Sequence, residues 1–264
     1  MRIRVYRVTV RWRIVALAGL LGAFVAAASE AESWEEISIR SGQSVWASSE
    51  LEETVWGRRI RYRAENVFDG ELGTCWVEDA EGAGVGESLT FVVDRPVSEL
   101  GIVNGFARNG VLFRWNNRVR RLRVELVAAF TAPGLVTETD YTLYLGRVMR
   151  AAEPLELEDT AVLQRFAFPW TADEQERFFM ESLELFLDGH PSFARKIREE
   201  LGYGPDPARG RGRAAPGDEA SREAFLSDAG AAFSMLCVRL VIDGVYPGDR
   251  FDDTCITEIE VAFE

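Results

Sequence analysis

Histidine is almost absent from this chain of 264 residues, and cysteine is scarce: one histidine and three cysteines. A single imidazole, His190, leaves a serine or cysteine triad no base but that residue. It also excludes a multi-histidine zinc site, and Cys75, Cys237 and Cys255 lack the Cys-x-x-Cys spacing of a structural zinc. His190 lies in Asp188-Gly189-His190-Pro191, where a solvated turn side chain is expected. Acidic residues are missing before Glu30, while Arg2, Arg4, Arg7, Arg11 and Arg13 precede it. The formal net charge of -13 thus understates how acidic the rest of the chain is. Such a body repels nucleic acid and anionic lipid headgroups, so neither is an expected partner.

What is present at the N-terminus is an arginine-rich start, the apolar run Ile14–Ala28 and the small residues Ala26-Ala27-Ala28. That order is the pattern of a secretory signal. The run is short for a membrane span, which needs about 20 apolar residues. Residues 1–28 are therefore expected to be a cleaved signal, or an uncleaved anchor that would be the only membrane contact. Either way the body is exported, to the periplasm, the cell surface or the medium. There the three cysteines can form one disulfide with one thiol left over, or remain three buried thiols.

The remaining chain reads mostly as strand. Leu122, Val124 and Leu126 alternate with Arg121, Arg123 and Glu125. Leu236, Val238, Leu240 and Ile242 alternate around Arg239, and Ile259, Val261 and Phe263 around Glu260. Shorter strands are expected at 36–40, 88–94, 98–104, 141–145 and 162–168, separated by turns such as Asp69-Gly70 and Ala132-Pro133-Gly134. Many short strands with turns between them indicate an all-β sandwich over 34–264.

Residues 170–233 break that pattern. Thr171 with Glu174 fits a capping box, and Phe179, Leu183 and Phe186 follow with helical spacing. Pro191 restarts the chain; Phe193, Ile197 and Leu201 recur every fourth residue, and Gly202 suits a C-cap. Arg209-Gly210-Arg211-Gly212-Arg213 then lies in a Gly/Pro/Arg-rich stretch that buries little apolar surface. The expectation is a helical hairpin plus a flexible loop, inserted between two strands.

Catalytic chemistry finds little support. Gly82-Ala83-Gly84-Val85-Gly86 leads into a strand rather than a helix and lacks the Gly-Lys-Ser/Thr ending of a phosphate loop, so it reads as a connector. Asp252 and Asp253 are neighbours on an extended segment and point to opposite faces; a turn or cap role is the better reading. Asn66–Thr74 clusters oxygen donors that could hold calcium, or could form an Asp-Gly turn closed on itself. Trp46, Trp56, Trp76 and Trp115 fall in or beside loop-like segments. Trp115, with Asn116, Asn117 and Arg118, suits a sugar ring: a flat apolar face beside fixed donors. The alternative is a tight turn at Asn116-Asn117 with Trp115 capping the core.

Ala64-Glu65-Asn66-Val67-Phe68-Asp69-Gly70, with Thr74 and Trp76, resembles the opening signature of discoidin-like, galactose-binding-type domains. Gly84–Ser88, Asn104-Gly105-Phe106, Asn116-Asn117-Arg118-Val119, Val245-Tyr246-Pro247-Gly248 and Asp253–Ile259 resemble the subgroup of NADase-type glycan-binding, or NAD glycohydrolase translocation, domains. The resemblance spans about residues 40–168 and 236–263. It implies a discoidin-like jelly-roll β-sandwich with no catalytic residues, which binds glycans through loops at one end; in streptococcal toxins such a domain helps carry an attached NAD-hydrolysing domain. It implies ligand-binding roles for Trp115, Asn116, Asn117, Arg118, Asn104 and Tyr246. It further implies a structural calcium on Asp69, Thr74 and Glu258, with Cys75 and Cys255 flanking it as the disulfide pair. The chain departs from the family in the cysteine between Thr74 and Trp76 and in the length of the 170–233 insertion. The expected function is an exported, non-enzymatic module for carbohydrate or a surface polymer. The alternative is a protein-interaction or envelope-assembly domain that uses the insertion, with Phe178, Phe179 and Phe186 available to a partner or packed inward.

Overall fold

The computed structural model describes residues 34–135, 140–203 and 219–264. The signal-like segment 1–28 and the Arg209–Arg213 stretch lie outside the described residues. In chain order the elements are β1 (Glu35–Arg40), β2 (Val45–Ala47), β3 (Glu52–Val55), β4 (Arg58–Arg61), a 3-10 turn at Ala64–Phe68, β5 (Trp76–Val77), β6 (Ser88–Val93), β7 (Val97–Asn104) and α1 (Gly110–Trp115). There follow β8 (Asn117–Phe130), β9 (Tyr141–Arg150), β10 (Leu155–Glu156), β11 (Gln164–Ala167), α2 (Ala172–Gly189), α3 (Pro191–Glu200), α4 (Glu219–Phe233), β12 (Ser234–Tyr246) and β13 (Thr254–Phe263).

The strands form a jelly-roll-like sandwich. One layer runs β1-β9-β8-β12-β6-β2 and the other β11-β7-β13-β5. A short parallel pairing of Thr254 with Asn117 and Cys255 with Arg118 joins them. Period-two alternation explains the core. Leu122, Val124, Leu126, Leu236, Val238 and Leu240 from the first layer meet Leu100, Ile102, Ile256 and Ile259 from the second, all at 4% exposure or less. The opposite faces of β8 and β12 carry Arg121, Arg123, Glu125 and Arg239, as the alternation requires.

The insertion between β11 and β12 contains three described helices rather than a hairpin. Thr171 and Glu174 make the full capping box that starts α2. α2 lays Phe179 and Phe186 on Phe130 of β8, with ring centroids 5.7 and 5.3 Å apart. The additional helix, α4, buries Phe225, Leu226, Ala229 and Gly230. Half of its buried positions are alanine and glycine, which weakens its period in a hydropathy reading. Among the described residues no helix is long and apolar enough to cross a membrane.

Candidate functional site

The loops that connect the two layers gather at one end. Asn109 starts α1, accepting from the Val111 and Leu112 N–H groups, and this short helix delivers Trp115 to the surface. Trp115 is half-buried and meets Phe251 edge-on at 6.1 Å. Arg250 lies over both rings, 4.6 Å from Trp115 and 5.0 Å from Phe251. The β3–β4 hairpin forms a separate two-stranded sheet. Its Trp56 is 97% exposed and held at φ 55°, with Gly57 following at φ 75°. Arg250 and the pairing of this hairpin escaped the sequence reading. The alternation of Glu52–Val55 with Arg58–Arg61 about Trp56-Gly57 was the available signal.

The polar residues expected to hold ligand serve a different purpose. Asn104 is fully buried; its amide donates to the Val119 carbonyl at 2.6 Å, and its oxygen accepts from Gly105 and Val119 N–H. Asn117 is 1% exposed, donating to the Asp252 carbonyl and accepting from Gly248 N–H. Arg118 forms a two-pronged pair with Asp159, at 2.9 and 2.7 Å, and also donates to the Asn116 and Pro247 carbonyls. Asn116 donates to the Leu112 carbonyl, and the Tyr246 hydroxyl donates to the Leu157 carbonyl at 3.0 Å. Direct contact with a ligand is thus closed to Asn104 and Asn117. They brace the loops because a buried amide must have all its hydrogen bonds met inside the protein. Of the four tryptophans, Trp76 is fully buried with its N–H on the Ser49 carbonyl, whereas Trp46 lies half-buried on the outer sheet face.

The Asp69 loop closes on itself and on the C-terminal strand. Asp69 accepts from Glu71 N–H at 2.8 Å and from the Thr74 hydroxyl at 2.7 Å. Gly70 N–H donates to Glu258 at 3.1 Å, so Asp69, Thr74 and Glu258 converge across 188 residues of chain. Burial pushes the Glu258 carboxyl up to about 7; the Gly70 hydrogen bond opposes this, and the nearby Asp69 charge adds to it. Two carboxylates and a hydroxyl suit a hard cation in kind. No cluster of three or more His, Cys, Asp or Glu side chains converges among the described residues.

Cys75, Cys237 and Cys255 are buried free thiols in this structure. Cys75 and Cys255 sit in one apolar cluster, and burial, with the adjoining Cys75, holds the Cys255 thiol well above its usual range. The disulfide that the family resemblance implies is not formed here, although its two partners are neighbours. His190 is half-buried rather than a free turn side chain: it stacks on Phe193 at 5.6 Å, packs against Phe186 and Trp34, and its Nδ1 lies 3.0 Å from the Phe186 carbonyl. Asp252 and Asp253 work in the turn, each offering its carbonyl to Asn117. The glycine-rich connector is built around Glu78. A Cβ on Gly84, at φ 67°, would fall 2.5 Å from that buried side chain.

Comparison with known proteins bears on this end of the sandwich. Residues 38–138 match the family described as NAD glycohydrolase translocation F5/8 type C domain. The matched stretch of this F5/8 type C pattern holds the β3–β4 hairpin, the Asp69 loop, α1 and all of β8. No curated protein matches the sequence. Among solved structures, an F5/8 type C domain from Bacteroides fragilis aligns at 15% identity, covering 88% of this chain and 97% of that one, with a TM-score of 0.34. The arabinofuranosyltransferase AftD of Mycobacteria aligns at 10% identity and TM-score 0.36, over 88% of this chain and 11% of that one. A Ruminococcus gnavus fucosidase solved with fucose gives 9% identity, TM-score 0.25, and 83% and 25% coverage.

Proposed function

We propose that this chain is an exported, non-catalytic recognition module that binds a glycan or surface polymer through the loop end of its sandwich. The observation that carries the reading is Trp56. An indole that is 97% exposed leaves its apolar surface in water, and its positive φ costs about 1–3 kcal/mol of backbone strain. Such a residue is explained by something that covers it. Trp115 and Phe251 form a second aromatic pair on the loops, and sugar rings stack their C–H faces on plates of this kind. The F5/8 type C match supports a binding rather than a catalytic role, and the arginine-rich, apolar N-terminus supports export.

Calcium on Asp69 and Glu258 belongs to this proposal. The ion would offset the repulsion between the two carboxylates and hold the Asp69 loop against β13. The protein-interaction alternative gains no support from the insertion's aromatics: Phe178, Phe179 and Phe186 are 7%, 3% and 0% exposed and pack inward.

A broad panel of glycans and cell-wall polysaccharides, screened with and without calcium, tests the reading. Specific binding is expected, lost in Trp56→Ala or Trp115→Ala while the melting temperature holds. Silence across the panel, or unchanged affinity in both variants, would overturn it.

A further inference from the structure

Two loops at the open end of the sandwich carry an excess of one charge. The β5–β6 connector holds Glu78, Asp79, Glu81 and Glu87. The β12–β13 loop holds Asp249, Asp252 and Asp253, and Arg250 is the single cation on either loop. Thr254 ties the two together: its N–H donates to Glu78 Oε1 at 2.9 Å and its hydroxyl to the Ala83 carbonyl at 2.8 Å. None of these carboxylates has an ion-pair partner among the described residues. Burial, then the charges of Glu53, Asp79 and Asp252, raise the Asp253 carboxyl. Burial also raises Glu78, opposed by the Thr254 and Ala80 N–H groups and helped by Asp253 and Glu87. Flanking elements do not cancel the excess. Arg59 and Arg61 are spent on Glu52, and Arg118 on Asp159. Arg58, Arg63, Arg108 and Arg114 remain, fewer than the carboxylates of the same end.

Arg250 shows which kind of cation this surface accepts. Its guanidinium lies 4.6 Å from the Trp115 ring and 5.0 Å from the Phe251 ring, and the two rings meet edge-on to form a corner. The backbone beneath is fixed, because the Trp115 carbonyl accepts from Arg250 N–H at 3.1 Å and from Phe251 N–H at 2.8 Å. The Arg250 side chain is exposed and bonds no acceptor among the described residues, so it alone is free to leave the corner. Asp249 and Asp252 stand on either side of it in the chain and can receive it.

We propose that this surface docks a basic, arginine-containing segment of a protein partner, and that Arg250 is an internal occupant which the partner's arginine displaces. The acidic loops draw the segment in. The Trp115–Phe251 corner takes one guanidinium, which stacks on aromatic faces better than an ammonium does. Val85, 62% exposed on the connector, meets the apolar stems of the basic side chains. The carboxylates are strung along two loops, and no group of them among the described residues could hold a metal ion, so a chain of cations suits them better than a single ion. A neutral polymer leaves these charges unanswered, and the inference does not rest on the Trp56 reading above.

Fluorescence anisotropy of labelled octa-arginine, octalysine and octaglutamate with the intact protein tests this. Octa-arginine should bind, octalysine more weakly and octaglutamate not at all, and binding should fall at high salt. Arg250→Ala should tighten octa-arginine binding about two- to fivefold, the worth of one exposed cation–π contact. Asp79→Asn combined with Asp249→Asn should weaken it about tenfold at unchanged melting temperature, because both side chains are exposed. Glu181→Gln combined with Glu219→Gln removes as many charges from the insertion, which packs on Phe130 at the far end of β8, and should leave binding intact. Trp56→Ala should also leave it intact, which separates this result from the polymer reading. Equal losses in the two double variants would mean attraction to net charge alone. That result, no binding of octa-arginine, octalysine binding as tightly, or weaker binding in Arg250→Ala would each overturn the assignment.

Discussion

Asn117 and Gly248 lock two loops together: the Gly248 N–H donates to Asn117 Oδ1 at 2.7 Å, and no side chain fits at position 248. A Cβ there would lie 2.4 Å from the Trp115 carbonyl oxygen. Asn117→Ala orphans the Gly248 N–H and the Asp252 carbonyl, and should cost about 1–3 kcal/mol. Gly248→Ala must move backbone and should cost more. Urea denaturation measures both; a cost below about 0.5 kcal/mol for Asn117→Ala would mean that the brace is dispensable.

Glu258 should make stability depend on pH. Its carboxyl rises from 4.5 to about 7 on folding, chiefly through burial. Between those values the folded state keeps a proton that the unfolded state releases, so stability falls as pH rises through the window and the penalty is complete above about 7. Glu258→Gln should therefore melt higher than the parent at pH 8 and converge with it below pH 4.5. Calcium should raise the parent's melting temperature at pH 8 and not that of the variant. Parallel melting curves at both pH values would refute the burial account.

The neighbouring thiols Cys75 and Cys255 lead to a chemical prediction. Native protein should label slowly with a thiol reagent, because all three cysteines are buried and the thiolate is the reacting form. Oxidation by copper–phenanthroline should remove two of the three thiols titrated after denaturation. Peptide mapping should find Cys75 joined to Cys255 and Cys237 free. Loss of Cys237 instead would contradict the arrangement.

The insertion should be inseparable from the sandwich. Phe186 is fully buried against Phe130 and Trp34, so Phe186→Ala should cost about 3–5 kcal/mol. Deleting 171–233 uncovers the same rings and should yield aggregated or unfolded protein. A soluble, cooperatively melting deletion variant would show that the contact is incidental.

These outcomes mark what could be read from the residues. Alternation around Arg123, Arg239 and Glu260 revealed the long strands, and the Thr171–Glu174 box revealed the start of α2, because both signals are local. The loop end was less legible. Asn104, Asn117 and Arg118 look like donors awaiting a ligand, and only the fold shows that carbonyls from Val119, Asp252 and Pro247 already occupy them. Trp56 and Trp76 have similar surroundings in sequence and opposite fates. Trp56 tops a local hairpin turn, whereas Trp76 lies on β5 and is covered through pairing with β13, far along the chain. Arg150 of β9, Glu125 of β8, Arg239 of β12, Thr90 of β6 and Trp46 of β2 lie in one cross-strand row over five separate strands, so no motif announces it.

Strand order also sets a timetable for synthesis. β12 lies between β8 and β6, and β13 between β7 and β8, so the centres of both layers wait for strands that follow all the others in the chain. Until residues 234–263 have left the ribosome, β6, β7 and β8 are each paired on one side only: β6 with β2, β7 with β11, and β8 with β9 and β10. A nascent chain of this order stays open to chaperones, and to any machinery that handles unfolded polypeptide, until that segment has emerged.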